Sequence, residues 1–376
     1  MNSANISERR RQTRNKVYRA LYDSQEPLSK QALALKLDMS LPTIYQNVAE
    51  LLDMGLIEYT GAQNSSGGRP AMQMRAVANA RYAIGVFISI DSLNFALTNL
   101  MCGVLAFKEV RHKLPLFGES FNQYFCSQLE SFIDENNIER SKLLGVGICL
   151  SGIIQPENML VFYAPPLNLR NVSIKAFIDN IPYPVHVEND ANSGGFAEWF
   201  NDSSGESIAF LSLAWGVGGA TFVNGDKFSG ANQRSGEFGH MCIEYNGRPC
   251  ACGKRGCLEA YCSSSRISSE LGMTLEEFFT QLSLGNRELQ EIWDDYIKHL
   301  AIGVHNIRMA LDCRIVIGGE MSSYLVPHMP RLCRMVAACD PFAADCDYVS
   351  LAKYSGVGAP LGTALHFVKD FLDFNI

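Results

Sequence analysis

The sequence lacks the segments that mark membrane and exported proteins. No run of eighteen apolar residues occurs in the chain, so no membrane-spanning helix is predicted. The first fourteen residues are polar and basic, and no apolar segment follows them, so we expect no secretory signal peptide. We therefore expect a cytoplasmic protein without a membrane partner.

The chain also lacks a general excess of positive charge. Its formal net charge is -7, which argues against unspecific coating of nucleic acid. The charges are unevenly placed, however: residues 1–80 hold ten Lys and Arg against seven Asp and Glu, and the remainder holds 22 against 32. At 376 residues the chain is long enough for more than one domain, and this asymmetry predicts a basic head on an acidic body.

Disulfide bonds are a further expected absence. The chain has twelve cysteines, but it is too long for a small secreted disulfide scaffold. Nine of them lie outside the cluster described next, mostly among apolar neighbours, as Cys149 does between Ile148 and Leu150. We expect these to be reduced, buried thiols.

The densest group of metal-binding side chains consists of His240, Cys250, Cys252 and Cys257, which lie within eighteen residues. Interleaved glycines and Pro249 allow this loop to fold back on itself. One imidazole and three thiolates form a complete tetrahedral ligand set for Zn²⁺. Because no position remains open for water, we predict a structural rather than a catalytic zinc. The alternative is a loop of ordinary reduced cysteines.

Residues 1–76 have the pattern of three short helices and a β-ribbon. The predicted elements are helices over residues 7–22, 30–37 and 41 to about 53, and strands over 56–59 and 72–75. Ser29 and Ser40 are suitable N-caps for the second and third helices. A Gly- and Ser-rich loop joins the two strands. This order predicts a winged helix-turn-helix DNA-binding domain.

The third helix of this domain is expected to enter the major groove of DNA. Its outward polar side chains can bond with base edges; they are Thr43, Tyr45, Gln46 and Asn47. Arg69 lies in the Gly- and Ser-rich loop, where a single arginine suits the minor groove. The arginines expected at phosphates are Arg9, Arg10, Arg11 and Arg14. The alternative is a winged helix that binds another protein.

The rest of the chain alternates strands and helices. Strands are predicted over residues 82–90, 95–100, 143–150, 185–188, 208–214 and 315–319, and helices over 121–136 and 189–200 and after 259. Two strand-rich halves, each with helices, predict a two-lobed α/β fold with a cleft between the lobes. The predicted division is residues 80–200 for the first lobe and 201–376 for the second, which contains the cysteine loop.

Several motifs resemble those of the ROK family, which contains repressors and sugar kinases. The matching segments are Glu188-Asn189-Asp190-Ala191-Asn192, Gly236-Glu237-Phe238-Gly239-His240, the cysteine loop with Leu258-Glu259, and Gly318-Gly319. With the winged head, the resemblance covers essentially the whole chain. It is closest to the branch of transcriptional regulators that includes xylose- and N-acetylglucosamine-responsive repressors. The resemblance implies an α/β fold in which a winged helix-turn-helix precedes a two-lobed, actin-like and ribonuclease-H-like domain.

The resemblance also implies roles for individual residues. The positions that correspond to the family's zinc ligands are His240, Cys250, Cys252 and Cys257. The positions that correspond to ligand-binding residues are Asn189, Asp190, Glu237, His240 and Glu259. Among these, Asp190 matches the carboxylate that deprotonates the sugar hydroxyl in the kinases. Carboxylates suit a sugar because each accepts several hydrogen bonds from its hydroxyls. Taken alone, Asp190 would be interpreted as a helix N-cap.

The phosphate-binding segments depart from the family pattern. Phe87 stands where the kinases have an Asp, and Ser89-Ile90 where they have glycines that let backbone N–H groups approach a phosphate. Trp215 replaces a small hydroxyl residue in the second phosphate loop, and Pro166 replaces a sugar-contacting Asn. These changes remove nucleotide binding before sugar binding. We therefore expect no ATP cofactor and no enzyme activity, with Asp190 as a vestigial base.

Together these observations predict a DNA-binding transcriptional regulator, a repressor of carbohydrate-utilisation genes that is controlled by a sugar or sugar phosphate in a kinase-like cleft. The expected cofactor is structural Zn²⁺. The expected partners are double-stranded operator DNA and further copies of the chain, as a homodimer or a tetramer. Two alternatives stay open: an ATP-dependent sugar kinase with a DNA-binding head, and a regulator controlled by a protein such as a phosphotransferase-system component.

Overall fold

The computed structural model describes residues 2–62, 72–232, 234–342, 345–374 and 376. Its helices are α1 (Asn2–Tyr22), α2 (Lys30–Leu37), α3 (Leu41–Asp53), α4 (Glu119–Glu135), α5 (Lys175–Ile178), α6 (Asp190–Phe200), α7 (Glu259–Cys262), α8 (Ser265–Leu271), α9 (Leu275–Ser283), α10 (Arg287–Leu311), α11 (Ser322–Leu325), α12 (Met329–Cys339) and α13 (Gly358–Phe374). Its strands are β1 (Leu28–Ser29), β2 (Ile57–Ala62), β3 (Met72–Ala76), β4 (Tyr82–Ile88), β5 (Ser92–Asn99), β6 (Val104–Arg111), β7 (Leu143–Leu150), β8 (Ile153–Gln155), β9 (Leu160–Ala164), β10 (Leu169–Ser173), β11 (Val185–Asn189), β12 (Ile208–Leu213), β13 (Val217–Val223), β14 (Asp226–Lys227), β15 (Arg314–Gly318) and β16 (Val349–Leu351).

The N-terminal head contains the three predicted helices and a small antiparallel sheet. The Ser29 hydroxyl accepts a hydrogen bond from the Ala32 N–H and caps α2, and Ser40 caps α3 in the same way. The sheet has three strands in the order β1-β3-β2, rather than the predicted two. The additional strand is the two-residue β1, which pairs Leu28 with Met74 and is too short to produce an alternating pattern in the sequence.

The apolar core of the head continues into the body. The fully buried side chains of the head include Tyr18, Leu33, Ile44, Val48 and Leu51. The same cluster of buried residues extends to Leu365 and Leu372 of α13. Head and body therefore share a hydrophobic core.

Polar contacts reinforce this attachment of α1 to the body. Arg19 donates to Asp373 Oδ1 at 2.6 Å, and Asn15 Nδ2 donates to the Asp373 carbonyl at 3.0 Å. The Tyr22 hydroxyl donates to the Leu100 carbonyl at 2.6 Å. The first helix of the head is thus bonded both to the last helix of the chain and to the segment after β5.

The body is built on two five-stranded sheets with the same internal order. The first sheet has the order β11-β7-β4-β5-β6, and the second has the order β14-β13-β12-β15-β16. In each sheet three consecutive antiparallel strands are followed by two strands that add in parallel. A small sheet, β10-β9-β8, accompanies the first. The two strand-rich halves predicted from the sequence are therefore present.

Helices α6 and α13 lie between the two sheets and cross at very short range. An added Cβ at Gly362 of α13 would lie 1.7 Å from the Ser193 carbonyl of α6. The opposite face of α13 packs on the first sheet, where an added Cβ at Gly147 would lie 2.4 Å from the Thr363 carbonyl. The opposite face of α6 packs on the second sheet, where Gly195 contacts Phe210. The layers are therefore sheet, α13, α6 and sheet.

This arrangement corrects the predicted division of the lobes. The division assigns residues 201–376 to the second lobe, whereas α13 packs on β4 and β7 of the first sheet. It also assigns α6 to the first lobe, whereas α6 packs on β12 and β13 of the second sheet. Helix α13 packs on strands that lie more than two hundred positions earlier in the chain, which the local spacing of residues does not reveal. Helix α6 packs on the two strands that directly follow it.

The long helix α10 covers the outer face of the second sheet. Its buried side chains include Trp293, Tyr296, Leu300 and Val304, which belong to the same core as Leu211 and Ile317 of the sheet. Charged residues occupy its other face, so α10 is amphipathic. Within the described ranges no helix is both long and apolar enough to cross a bilayer.

Candidate functional site

The cysteine loop brings its four predicted metal ligands together. One ligand atom from each residue, His240, Cys250, Cys252 and Cys257, lies within 4.8 Å of all the others. Cys252 Sγ and Cys257 Sγ are 3.8 Å apart, and Cys250 Sγ lies 4.0 Å from His240 Nδ1. A tetrahedral zinc with Zn–S bonds of about 2.3 Å has S–S edges of about 3.8 Å. These residues therefore fit a closed zinc site.

Close backbone contacts and one aromatic side chain fold this loop. Gly256 has a φ of +78°, and an added Cβ would lie 1.7 Å from the Glu244 carbonyl, so only glycine fits there. The Tyr261 hydroxyl accepts a hydrogen bond from the Arg248 N–H at 2.7 Å and donates to Glu244 Oε2 at 2.5 Å. The Tyr261 ring stacks on His299 of α10, with the ring centroids 3.9 Å apart. The loop is thus fixed to the long helix.

Glu259 connects the cysteine loop with the start of β13. It begins α7, two residues after the last cysteine of the loop. Its Oε2 accepts a hydrogen bond from the Val217 N–H at 3.0 Å, and its Oε1 lies 3.7 Å from Cys250 Sγ. An added Cβ at Gly216 would lie 2.8 Å from Oε2, so the carboxylate rests directly against the backbone. The fold of the loop therefore determines where this carboxylate lies.

Asn189 and Asp190 lie where β11 turns into α6. Asn189 is the N-cap, because its Oδ1 accepts hydrogen bonds from the N–H groups of Ala191 and Asn192. The alternative interpretation of Asp190 as the N-cap is therefore wrong. Asp190 Oδ2 accepts from the Ser151 hydroxyl at 2.5 Å, and Oδ1 accepts from the Ala191 N–H at 2.9 Å. Loss of water around the carboxyl raises the pKa of Asp190, and these hydrogen bonds oppose that rise.

The glycines of β13 bring three distant segments of the chain together. An added Cβ would lie 3.0 Å from the Ala191 side chain at Gly218 and 2.3 Å from the Phe238 ring at Gly219. Glu259 contacts the same strand from the third segment. These segments carry all the side chains predicted to bind a ligand, namely Asn189, Asp190, Glu237, His240 and Glu259. The structure therefore gathers the segments around one strand.

His240 lies between the cysteine loop and a carboxylate. Its Nδ1 faces Cys250, and its Nε2 lies 3.9 Å from Glu237 Oε2. Burial raises the pKa of Glu237, and the neighbouring imidazole opposes that rise. One ring nitrogen is thus available to a metal, while the other faces Glu237, which is predicted to bind a ligand.

The turn between β4 and β5 is closed by its own side chains. Ser89 Oγ accepts hydrogen bonds from the Asp91 N–H at 3.3 Å and from the Ser92 N–H at 2.9 Å. The Ser89 N–H donates to the Ser92 carbonyl at 2.9 Å, and Arg111 binds the Asp91 carboxylate at 3.0 Å. The backbone N–H groups of Ser89, Asp91 and Ser92 are therefore already bonded within the turn. An acidic side chain also lies beside them.

The loop between β12 and β13 presents an aromatic ring. Trp215 lies at the tip of this loop and is 53% exposed. The kinase pattern has a small hydroxyl residue at this position. The Ala214 N–H donates to the Gly216 carbonyl at 2.9 Å, and the Ala214 carbonyl accepts from the Ser264 N–H at 2.8 Å. This loop is therefore bonded internally and to the segment before α8. Pro166 lies apart from it, in the short turn Pro165–Leu167 after β9.

The residues predicted to contact DNA differ in their placement. Tyr45 and Gln46 are exposed on α3, with Tyr45 50% accessible. Thr43 is half-buried, and its hydroxyl is bonded to Ser40 Oγ at 2.9 Å. Arg69 lies outside the residues that the structure describes.

The outward orientation predicted for Asn47 is wrong. Asn47 is only 4% exposed, and its Nδ2 donates to the Thr43 carbonyl at 2.8 Å. The physical reason is helical periodicity: Asn47 lies three residues after Ile44 and four before Leu51, on the stripe that faces the core. Its side chain therefore does not lie on the exposed face of α3.

One feature of the head was not predicted. Lys30 Nζ lies 4.3 Å from the ring centroid of Tyr45 and 5.8 Å from that of Tyr59. The Lys30–Tyr45–Tyr59 surface combines residues from α2, α3 and β2. In the sequence, only the basic residue at the start of α2 indicates this surface. The two rings that flank it belong to other elements, so the spacing of residues does not group them.

Two of the arginines expected at phosphates are held by α3. Arg10 and Arg14 of α1 both bind the Glu50 carboxylate, with Arg14 Nη1 at 2.7 Å from Glu50 Oε2. The hydrogen bonds from Arg10 and Arg14 hold the pKa of Glu50 below its usual value, against the effect of burial. These arginines therefore join α1 to α3.

A family model described as the ROK family matches residues 83–369 of this chain. The xylose repressor of Bacillus subtilis (strain 168) is 28% identical over 299 residues, which cover 77% of this chain and 77% of that protein. The match to the family model therefore includes both sheets of the body, the cysteine loop and most of α13.

Two solved structures share this fold. One is a ROK family transcriptional regulator described as a homolog of the Escherichia coli MLC protein, with a TM-score of 0.77, 20% identity and coverage of 97% of each chain. The other is a ROK family glucokinase from Streptomyces griseus in complex with glucose and AMPPNP, with a TM-score of 0.62, 21% identity and coverage of 75% of this chain and 98% of that chain. Since the family model spans more than half of the sequence, the chain belongs to the ROK family.

Proposed function

We propose that this protein is a DNA-binding transcriptional regulator that responds to a sugar or sugar phosphate. The observation that carries the proposal is the combination of a three-helix head with a ROK body whose first phosphate turn is filled by Ser89. The relatives support it, because they include a xylose repressor and a transcriptional regulator that aligns with nearly the whole chain. Repression of carbohydrate-utilisation genes is the role that fits these relatives.

The head is proposed to bind operator DNA as a winged helix-turn-helix. A helix of thirteen residues, α3, carries exposed Tyr45 and Gln46, which can bond with base edges in the major groove. Lys30 lies beside Tyr45 and supplies positive charge for a phosphate at the edge of that groove. Thr43 and Arg69 remain proposed contacts, at the start of α3 and in the loop after β2.

The residues around β13 are proposed to bind the sugar. Carboxylates from Asp190, Glu237 and Glu259 can accept hydrogen bonds from vicinal hydroxyls, and the amide of Asn189 and the imidazole of His240 can complete the shell. Because its Oδ1 caps α6 and its Nδ2 donates to the Gly152 carbonyl, Asn189 acts mainly by holding this turn in place. The acidic character of the group favours a ligand rich in hydroxyls.

Phosphoryl transfer from ATP is the second candidate function. It is favoured by Asp190, whose raised pKa and position at the start of α6 suit a general base, and by the glucokinase among the structural relatives. It is opposed by the closed β4–β5 turn, by the Asp91 carboxylate there and by the bond from Ser151 that occupies Asp190 Oδ2. Positioning and charge neutralisation make up most of phosphoryl-transfer catalysis, so we propose that the chain is not a kinase and needs no ATP.

Zinc is proposed as a structural cofactor. Bound zinc would be held by His240 and the three cysteines and would supply a fixed tetrahedral junction. Since Glu259 Oε1 lies 3.7 Å from Cys250 Sγ, bound zinc would also hold Glu259 in place, and Glu259 is proposed to bind the sugar.

Regulation is proposed to operate on a homodimer, or a tetramer, that presents two heads to a roughly palindromic operator. Sugar binding would change the angle between the two sheets. Helix α13 would transmit that change to α1, because it packs on the first sheet and is bonded to Arg19 of α1. The sugar must bind the two states with different affinity, since otherwise it shifts nothing. A phosphotransferase-system protein remains a candidate regulatory partner, which would act in place of a directly bound sugar.

The proposal is tested by DNA selection followed by titration. The full-length chain is used to select duplexes from a random library, and band-shift titrations on the selected duplex are repeated with pentoses, hexoses, N-acetylhexosamines and their phosphates. We expect a selected duplex with two related half-sites and at least one sugar that changes its affinity. Absence of any selected sequence would overturn the DNA-binding proposal, and indifference to every sugar and sugar phosphate would overturn direct sensing.

The kinase alternative is tested with the same sugars. A coupled assay for ADP release, with ATP and each sugar, should give no turnover above the rate without protein. Sugar-dependent ADP release that disappears in Asp190→Asn would establish the kinase instead. Co-purification of a phosphotransferase component with the chain, together with indifference to free sugars, would favour control by a protein partner.

A further inference from the structure

A second group of metal-binding side chains lies away from the cysteine loop. His186 and Glu188 are two residues apart on β11, so their side chains share one face of the strand. His366 of α13 packs against the same face, and its ring centroid lies 4.3 Å from that of His186. One ligand atom of each of the three residues lies within 4.8 Å of the other two. We call this group the His186–Glu188–His366 cluster.

The nitrogens of the two imidazoles converge on a single carboxylate oxygen. His366 Nε2 lies 2.6 Å and His186 Nε2 lies 3.8 Å from Glu188 Oε2. His186 Nε2 is buried, and no protein atom satisfies it. A buried imidazole nitrogen without a protein partner, 3.8 Å from a carboxylate oxygen, is available to a water molecule or a metal ion.

We propose that the His186–Glu188–His366 cluster binds a divalent transition-metal ion such as Zn²⁺. Two imidazoles and one carboxylate form a ligand set that suits first-row divalent metals. Ligands with bonds of about 2.0–2.2 Å to one metal lie about 2.8–3.6 Å from each other, depending on the coordination geometry. The distances of 2.6 and 3.8 Å bracket that range, so binding requires shifts of less than about 1 Å.

The charges around the cluster are compatible with a cation. Glu188 is buried, and its Oε2 faces the two imidazoles. Lys227 of β14 binds the other carboxylate oxygen, Oε1, and leaves Oε2 to the imidazoles. A hydrogen bond of this kind orients a ligating carboxylate. The ammonium group also repels a metal ion, so we expect weaker binding here than in the cysteine loop.

The location gives the cluster a consequence for the rest of the molecule. Glu188 immediately precedes Asn189, the cap of α6, while Lys227 belongs to the second sheet and His366 to α13. An ion at this point would join the first sheet to α13, and the Glu188 carboxylate would keep its bond to Lys227 of the second sheet. The proposal concerns a metal site, and it holds whether or not the protein binds an operator.

Zinc counting by equilibrium dialysis of the tag-free, full-length chain tests the proposal. We expect about two zinc ions per chain at saturation, one in the cysteine loop and one in the cluster. His366→Gln and His186→Gln should each remove one of them and leave the tightly bound ion of the cysteine loop. His328→Gln, which removes a half-buried imidazole that packs on Trp293 far from both groups in the sequence, should keep both ions. His186 is partly exposed on an edge strand, so its substitution tests the site even if His366→Gln fails to fold.

Binding of a single zinc by the unaltered chain would overturn the proposal. Retention of the second zinc in the folded His186→Gln variant would do the same, because it would assign that ion to adventitious surface ligands.

Discussion

At the scale of single residues, the same ROK framework can support a sensor or a kinase. Ser89 accepts hydrogen bonds from the N–H groups of Asp91 and Ser92 in its own turn. Ser151 donates to one oxygen of Asp190, the residue proposed to correspond to the kinase base. Glu259 in turn is held by the Val217 N–H and lies beside the cysteine loop. These contacts support the proposed sensor, in which carboxylates bind hydroxyls and ATP is not bound.

Replacing Glu259 tests the proposed sugar contacts. Glu259→Ala removes charge-assisted hydrogen bonds worth about 1.5–3 kcal/mol, so the sugar concentration that gives half of the response should rise roughly 10- to 150-fold. Band-shift titration with the sugar that acts on the unaltered chain measures this change. Glu270→Gln, which alters an exposed carboxylate bound to Arg248, is the matched control. An unchanged response in the zinc-loaded Glu259→Ala variant would remove Glu259 from the sugar site.

Local residue patterns were predictable where the chemistry is local. The four ligands of the cysteine loop lie within one short segment, so their spacing was sufficient to group them. The inward position of Asn47 also follows from its spacing to Ile44 and Leu51, because on this helix the position of a side chain decides its burial even when the side chain is polar. In contrast, the bond from Ser151 to Asp190 joins residues 39 positions apart, and no spacing rule indicates such a pair.

At the scale of elements, the cysteine loop acts as a unit with α7 and α10. Cys257→Ser should release zinc and lower the stability of the body, because a structural metal contributes its binding energy to folding. Elemental analysis and thermal unfolding measure the two effects. Cys339→Ser, an exposed cysteine outside the loop, should change neither. Full zinc content in a folded Cys257→Ser variant, with the second metal site removed by His186→Gln, would contradict the assignment of the ligands.

The crossing of α6 and α13 makes a second element-scale prediction. At Gly362 an added Cβ would lie 1.7 Å from the Ser193 carbonyl, so Gly362→Ala should destabilise the body by about 3 kcal/mol or prevent folding. Urea unfolding measures the loss. Gly103→Ala is the matched control, since nothing lies within 4 Å of the added carbon there and φ is not positive. Equal stability of the two variants would show that the helices do not cross at this distance.

The elements themselves were largely predictable, whereas their assembly was not. Apolar periodicity and serine caps gave the helices of the head, and buried runs such as β7 gave the strands of both sheets. The two-residue β1 carries no periodicity. A helix after residue 259 was expected, but the partners of α13 on β4 and β7 lie more than two hundred positions earlier in the chain. Sequence proximity therefore placed this helix in the wrong lobe.

At the scale of the whole molecule, α13 joins the parts that the proposed regulation requires. It crosses α6 near its start and bonds with Arg19 of the head near its end. The double substitution Arg19→Ala/Asp373→Ala should leave sugar binding intact and weaken the effect of sugar on operator affinity, because it removes a polar link between head and body. Calorimetric sugar binding and band-shift titration measure the two properties separately. If sugar changes operator affinity in the double variant as strongly as in the unaltered chain, this link does not couple sugar binding to DNA binding.

The same link predicts a dependence on pH. Hydrogen bonds from Lys369 and Arg19 lower the pKa of Asp373 in spite of its burial, so its folded value lies below the unfolded value of about 4. The stability that Asp373 contributes is therefore fully present above pH about 4 and is lost as the pH falls through the lower folded value. Unfolding curves of the unaltered chain and of Asp373→Asn should accordingly converge at acidic pH. Curves that remain equally separated down to the acid transition would contradict this ionised contact.

The most direct test of the central claim measures operator binding and phosphorylation in one preparation of the full-length chain. The operator is the duplex that the chain itself selects, and the ligand is the sugar that changes its affinity. The account predicts that this sugar changes the operator Kd without ATP and that no phosphorylated sugar is formed when ATP is added. A sugar that is phosphorylated at a catalytic rate while operator affinity stays the same would contradict it.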